Sequence, residues 1–407
     1  FAAAALGVVL GAAACHNDEL FRPANFTPID PLFERYVSMG NSITAGFQSD
    51  GINDSTQLQS YPVLLASRMG SPFFMPLMNR PGCRPPFTNV FTQARVGGGT
   101  PATCALRKPQ NPPPPYISNT AVPGAEVLDI YSNVDTASNA NPLTTFILGG
   151  LTQAQMMARA QPTFVSVWIG NNDVLGAATD SANGGDSTKI TSIANFQARS
   201  TALFDSIAAV GPRGVIVIGV ANVTLIPFFS RGAIYWAIDN GLVPGAAFPP
   251  AFVVDAGCRP NALGGTGDSV LVPFRFGAFK LGRAQAGLAD TLYCTDVHTV
   301  QPAELRKLVT TVAAYNTFDS TQATTRGWAW LNPNVTLATL AADTAQVRPF
   351  PYFPQGNAGD TVAVRRPFGR AFSLDAVHPS ASAHKLIANA LRTAINTKYG
   401  TAIPQIF

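Results

Sequence analysis

The sequence predicts an α/β fold built on a mostly parallel central sheet, and three observations carry that reading. Two short runs, TFVSVWIG (163–170) and RGVIVIGVANV (213–223), are apolar and β-branched with punctuating glycines, the pattern of strands buried on both faces. A helical stretch at 193–210 lies between them at the spacing of a βαβ unit. Residues 301–318, QPAELRKLVTTVAAYNTF, form an amphipathic helix suited to cover such a sheet. Composition agrees. Of 407 residues, 46% are hydrophobic and only 12% charged, about half the ordinary charged share, and the mean hydropathy is +0.15. That excludes a disordered chain and argues against a long coiled coil. The net charge of +4 comes from 27 basic and 23 acidic residues with no dense basic run, so nothing marks a nucleic-acid partner.

The chain opens on FAAAALGVVLGAAA (1–14), which carries no charge. The run is shorter than the roughly 20 residues of a membrane span and matches the apolar core of a secretory signal. With no initiator Met and no basic segment ahead of it, the chain is expected to be truncated at its start. Ala13-Ala14-Cys15 resembles the lipobox of bacterial lipoprotein signals, although Ala12 stands where Leu is preferred. Cys15 is therefore expected to be the lipidated first residue of an exported protein, held to a membrane of the bacterial cell envelope by that lipid. An ordinary secretion signal with an incidental cysteine is the alternative. His16 replaces the Asp associated with inner-membrane retention, which favours the outer membrane. Residues 16–32, interrupted by Pro23, Pro28 and Pro31, read as a tether, and 33–407 as a single domain.

Within that domain FERYVSMG (33–40) is the first strand, and 55–69 a helix presenting Tyr61, Leu64, Leu65 and Met69. A loop-rich insertion at about 75–118 holds Cys83, Cys104, Gly97 to Gly99 and the run Pro112 to Pro115, read as a stiff polyproline-II connector. Residues 152–161 are helical. A second insertion at about 225–300 is rich in Phe, Pro and Gly and holds Cys258 and Cys294. GWAWLNPNV (327–335) is a short strand and 380–397 the last helix. Export makes disulfides reasonable for the four cysteines beyond Cys15. They allow three pairings, of which the local choice is Cys83–Cys104 with Cys258–Cys294, each loop worth roughly 3–4 kcal/mol. No CxxC is present and no cysteine has a His in ligand spacing, so no metal site is expected.

Four short stretches could carry chemistry. Gly40-Asn41-Ser42 follows the first strand and presents a serine between glycines, though not in the G-x-S-x-G register. Asn119 to Ala125 contains Gly124, able to offer an unobstructed N–H. Gly170-Asn171-Asn172-Asp173 places carboxamides at the carboxyl end of the strongest strand, where ligands bind in open α/β sheets and where an oxyanion could be stabilised. Asp375-Ala376-Val377-His378 can set a carboxylate against an imidazole on one turn, the base and orienting acid that a serine nucleophile needs. His298 has Asp296 at the wrong spacing for that, and His384 on the last helix is read as structural.

These four blocks, in this order, resemble the SGNH hydrolases, also called the GDSL esterase/lipase family. The similarity extends to the AELRKLVTTVAAYN helix and to the tail from FSLDAVHPSASAHKL onward, about two-thirds of the chain. It implies a three-layer α/β/α flavodoxin-like fold with loop-rich insertions. It implies Ser42 as nucleophile, His378 as base and Asp375 as the acid that orients it. The oxyanion hole is implied to consist of the N–H groups of Ser42 and Gly124 with the side chain of Asn172, which inherits that role rather than Asn171. No metal or organic cofactor is implied. The family Asp after the first Gly is Asn41 here, which keeps an acceptor but loses a charge. The expected activity is hydrolysis of carboxylic esters, lipid or other acyl, through an acyl-enzyme at Ser42. The alternatives are a carbohydrate O-acetyl esterase of the same fold, acting on an acetylated glycan, and a non-enzymatic surface lipoprotein. Phe228, Phe229, Tyr235, Trp236, Phe248, Phe252, Phe274, Phe276 and Phe279 either form a lid for acyl chains or pack the insertion's own small core.

Overall fold

The computed structural model describes residues 27–132, 142–351 and 366–407. The signal and lipidation expectations, including Cys15, fall outside those residues. Four parallel strands form the central sheet: β1 (Tyr36–Gly40), β2 (Phe164–Trp168), β3 (Gly214–Ile218) and β4 (Ala329–Leu331), each paired with the next. A fifth segment runs parallel along the free side of β1. There Ser38 N–H donates to Ser118 O at 2.8 Å and Thr120 N–H to Ser38 O at 2.9 Å. Taken in chain order, the spatial order is 2-1-3-4-5, the doubly wound flavodoxin-like arrangement.

The principal helices are α1 (Ser42–Ala45), α2 (Tyr61–Met69), α3 (Gln153–Ala160), α4 (Asn172–Ala178), α5 (Ile193–Val210), α6 (Phe274–Gln285), α7 (Pro302–Thr325), α8 (Pro333–Ala341) and α9 (Ala381–Tyr399). Alternation along the strands sends Val37, Met39, Val165, Val167, Val215 and Val217 to one face, against Met157 of α3, Val174 of α4, Phe196 and Leu203 of α5 and Val312 of α7. Tyr36, Phe164, Trp168, Ile216 and Ile218 point to the other, against Tyr61, Leu65 and Met69 of α2 and Leu391 and Ile395 of α9. β1, β2 and β3 are buried along their whole length, which is why they read as continuous apolar runs.

Boundaries differ from expectation where local chemistry intervenes. The helix expected at 55–69 is split into Asp54–Gln57 and α2. Ser60 Oγ turns back to Gln57 O at 2.7 Å and Pro62 opens the new helix, where its missing N–H costs nothing. The strand expected at 213–223 ends at Ile218. The strand expected at 327–335 shrinks to β4, because Asn332 caps the unanticipated helix α8 and Pro333 starts it. Ahead of Phe33, Ile29 N–H already donates to Met69 O at 3.0 Å and Leu32 is buried.

Both expected disulfides are present, Cys83–Cys104 and Cys258–Cys294. The second insertion pairs Phe229–Arg231 with Leu271–Pro273 and Phe252–Val254 with Asp290–Leu292. Phe228, Phe229, Tyr235, Phe252 and Phe274 are buried there, and the Phe274 ring meets Phe350 and Phe368 edge-on at 5.3 and 5.0 Å. Of the nine aromatics, only Phe279 is widely exposed, at 63%. The others pack into the protein's main core, with which the insertion's apolar side chains are continuous.

His384 of α9 is fully buried, and its Nδ1 accepts from Tyr61 N–H at 3.2 Å, capping α2. Burial, helped by the charge of His378, lowers its pKa from 6.5 to about 3. As pH falls from 6.5 toward 3, the unfolded chain takes up a proton here that the folded chain refuses. Stability from this group is therefore lost on acidification, at about 1.4 kcal/mol per pH unit. His384→Gln keeps an acceptor for Tyr61. Its urea stability relative to the parent should improve by that slope between pH 6 and pH 4; parallel curves for the two proteins would contradict the assignment.

Candidate active site

The strand order reverses at β1, whose neighbours on either side come later in the chain, and such a reversal opens a crevice at the carboxyl ends of the strands. Three of the predicted blocks leave the sheet there. Gly40 ends β1 at φ +154°, and a Cβ on it would strike Trp168 O and the Thr44 side chain. The Gln153 carboxamide holds that glycine from both sides, accepting from its N–H and donating to its C=O, each at 2.8 Å. Asn41 then caps α1, its Oδ1 accepting from Ile43 N–H at 3.1 Å. The acceptor that the family Asp would supply is thus retained. Ser42 is the first residue of α1, so its N–H has no acceptor within the helix. The single turn closes at Gly46, φ +85°, where a Cβ would meet the backbone of Gln57.

Asp375 and His378 come from the loop before α9. Ser42 Oγ lies 2.9 Å from His378 Nε2, and His378 Nδ1 lies 2.8 Å from Asp375 Oδ2. The Asp375 carboxylate also accepts from the N–H groups of Val377 (2.9 Å), His378 (2.8 Å) and Asp50 (2.6 Å) and from Ser373 Oγ (3.1 Å). Burial alone would raise its pKa. The facing His378 and these donors outweigh that and hold the carboxyl at about 2. The loop is tied to the one after β1 by Ser49 N–H to Ser373 Oγ at 2.8 Å, and Phe47 packs its ring against His378 with centroids 4.9 Å apart. Ser42 is only 7% exposed, yet it opens onto a cleft.

Asn172 begins α4 and donates from Nδ2 to Ala125 O at 2.8 Å. The next residue, Asp173, is buried and accepts from Val127 N–H at 3.1 Å. These two bonds fasten the Gly124 loop to the start of α4, leaving Gly124 at φ +83° facing the same cleft as Ser42. Burial, with the charge of Glu126 second, raises the Asp173 carboxyl to about 7. Asn172 stands with Ser42, Gly124 and His378 in that cleft, whereas Asn171 lines only an adjoining pocket.

The cleft is wide, about 1060 Å³, and carries Asp50, Arg84, Asp180, Arg275 and His298 among its walls. The spacing of His298 from Asp296 argues against a role in a relay. In the structure its Nδ1 pairs with Asp296 Oδ1 at 2.6 Å and its ring stacks on Phe276 at 4.9 Å. It shares the cleft with Ser42, but the hydrogen bond to Ser42 belongs to His378. The separation of two residues between Asp296 and His298 is a local signal for the pair itself, and only the fold brings that pair to the cleft.

Serine, imidazole and carboxylate in hydrogen-bond sequence, on a cleft that Gly124 and Asn172 also line, can perform nucleophilic acyl transfer. No protein-family model and no curated protein matches the chain. Solved structures align along most of it. An acetyl-xylooligosaccharide esterase, Axe2, of Geobacillus stearothermophilus is 13% identical with a TM-score of 0.38, covering 89% of this chain and 94% of that one. A GDSL-like lipase of Parabacteroides merdae is 13% identical with a TM-score of 0.32, over 90% and 98%. A family two carbohydrate esterase of Clostridium thermocellum is 11% identical with a TM-score of 0.34, over 90% and 65%.

Asp375→Asn keeps one acceptor oxygen for the N–H groups of Val377 and His378 but cannot balance an imidazolium. It should lower any Ser42-dependent turnover about 10⁴-fold while circular dichroism stays unchanged; turnover within tenfold of the parent would remove Asp375 from the relay.

Proposed function

We propose that the chain is a serine carboxylic ester hydrolase working through an acyl-enzyme at Ser42. The observation that carries this reading is the continuous Ser42–His378–Asp375 relay, 2.9 and 2.8 Å, opening on a cleft at the sheet's switch point. This relay joins the three residues that the resemblance to the SGNH hydrolases implies as nucleophile, base and orienting acid.

Ser42 Oγ attacks the ester carbonyl carbon as its proton passes to His378 Nε2. The charge that develops on the carbonyl oxygen is met by the N–H groups of Ser42 and Gly124 and by the second hydrogen of Asn172 Nδ2, the first being committed to Ala125 O. When the tetrahedral adduct collapses, the C–O bond to the alcohol breaks and His378 returns the proton to the leaving oxygen. Water then repeats the sequence in reverse and frees the acid and Ser42. Asp375 stays ionised throughout and holds the imidazole with its proton on Nδ1.

The wide cleft with its arginines, His298 and the rings of Phe276 and Phe279 also suits a sugar, which favours an O-acetyl glycan ester as the second reading. We further propose export and lipidation at Cys15. The two disulfides support an oxidising compartment, and a mass spectrum of the mature N-terminus decides the lipid.

A fluorophosphonate probe should label Ser42, and Ser42→Ala should abolish both labelling and turnover of p-nitrophenyl esters. A folded protein that is not labelled would favour the non-enzymatic surface lipoprotein. Asn172→Ala should lower kcat by about 10²–10³ with a smaller change in KM; an effect confined to KM would place Asn172 in ground-state binding only.

A further inference from the structure

A second, narrower pocket of about 120 Å³ adjoins the wide polar cleft and shares Ser42, Asn172 and His378 with it. It is almost wholly apolar, with Trp168 and Phe372 beside its aliphatic side chains, and its two long walls are helices. From α8 it takes Pro333, Thr336, Leu337 and Leu340; from α9 it takes Ala383, Leu386, Ile387 and Ala390. Both sets fall at i, i+3, i+4, i+7, one stripe of each helix. Stripes of this kind normally bury themselves against one another. Here they stand apart with a slot between them, and Ile218 and Leu331, at the ends of β3 and β4, lie at its base. The consequence is clearest on α8. Its sequence, PNVTLATLA, is apolar, yet none of its nine residues is buried. A short helix draws most of its stability from packing an apolar face, and this one leaves its face on an open slot. On α9, Leu386 is likewise 43% exposed.

We propose that this slot binds the acyl chain of the ester, so that the substrate class is esters of unbranched medium-chain fatty acids, with the alcohol portion in the wide cleft. The inference rests on the reading of Ser42 as nucleophile. Ser42 is part of the slot's lining, so an acyl group carried on its Oγ can extend into it. Beyond Asn41, Ser42, Asn171, Asn172, Thr336 and His378 its lining is apolar; a glycan would leave hydroxyls unpaired against that surface and a hydrocarbon would not. The occupant completes the contacts that α8 and α9 do not make with each other. The acyl site therefore lies outside the Phe-rich insertion, none of whose nine aromatics lines the slot.

The test is kcat/KM for p-nitrophenyl acetate, butyrate, hexanoate and octanoate, with the parent, Ser42→Ala, Leu340→Trp and Val335→Trp. Leu340 faces the slot, while Val335, on the same helix, is 69% exposed and lies outside it. For the parent, kcat/KM should rise about fourfold per methylene until the slot is filled, the fold-change that corresponds to burying one such group. Leu340→Trp should lower the octanoate-to-acetate ratio at least tenfold, and Val335→Trp should leave it within twofold. A flat or falling parent series that still depends on Ser42 overturns the acyl site and leaves the esterase reading standing, as does a Leu340→Trp loss shared equally by all chains. Turnover indifferent to Ser42→Ala overturns the esterase reading itself. Should Leu340→Trp not fold, as judged by absent fluorophosphonate labelling, Leu386→Trp narrows the slot from its solvent-exposed rim and carries the same expectation.

Discussion

The pairing of β1 with a later strand on each side is the constraint on which the rest depends. Because Asn119 and Phe164 to Trp168 flank the same strand, the segments leaving all three emerge at one edge and must diverge. The divergence makes the crevice, and it delivers Ser42, Gly124 and Asn172 to it from three separate parts of the chain. Gly40 is the hinge of this arrangement. It turns under the carbonyl of Trp168 where no side chain fits, and Gln153 locks its peptide groups from the α3 side.

Around that edge the electrostatics are divided. Asp375 is surrounded by donors and stays ionised, which lets it support a positive charge on His378. Asp173, equally buried but with Glu126 nearby, is pushed up instead and serves as an anchor for Val127 N–H. Two aspartates a few elements apart thus differ in charge tendency by environment alone. His384 is a third case. It sits beneath α2, close enough to feel His378, and burial keeps it neutral. One imidazole touches the nucleophile; another holds a helix start.

The apolar material is likewise divided. Aromatic side chains of the disulfide-linked 225–300 insertion join the main core, and Phe228, Phe276 and Phe279 also line the polar cleft. Aliphatic side chains of α8 and α9 face a slot that no described residue fills. Low overall charge and abundant phenylalanine describe the first; the second is built from Leu, Ile and Ala and leaves almost no mark on composition.

The sequence by itself determined the α/β class, the strands β1, β2 and β3, the helices α3, α5, α7 and α9, both disulfides, and the residues Ser42, Gly124, Asn172, Asp375 and His378. These were legible because each depends on a local pattern: continuous β-branched runs, helical periodicity, and short blocks whose order matches a known family. Tertiary structure alone decided that Asn119 extends the sheet, that His298 with Asp296 joins the wall of the cleft, and that α8 stands opposite α9. Those facts depend on contacts between residues far apart in the chain, and no local periodicity encodes such distances. The helix α8 lies between the two cases. Asn332 and Pro333 are a readable cap and start, but what its apolar stripe faces is set by where β4 and α9 place it.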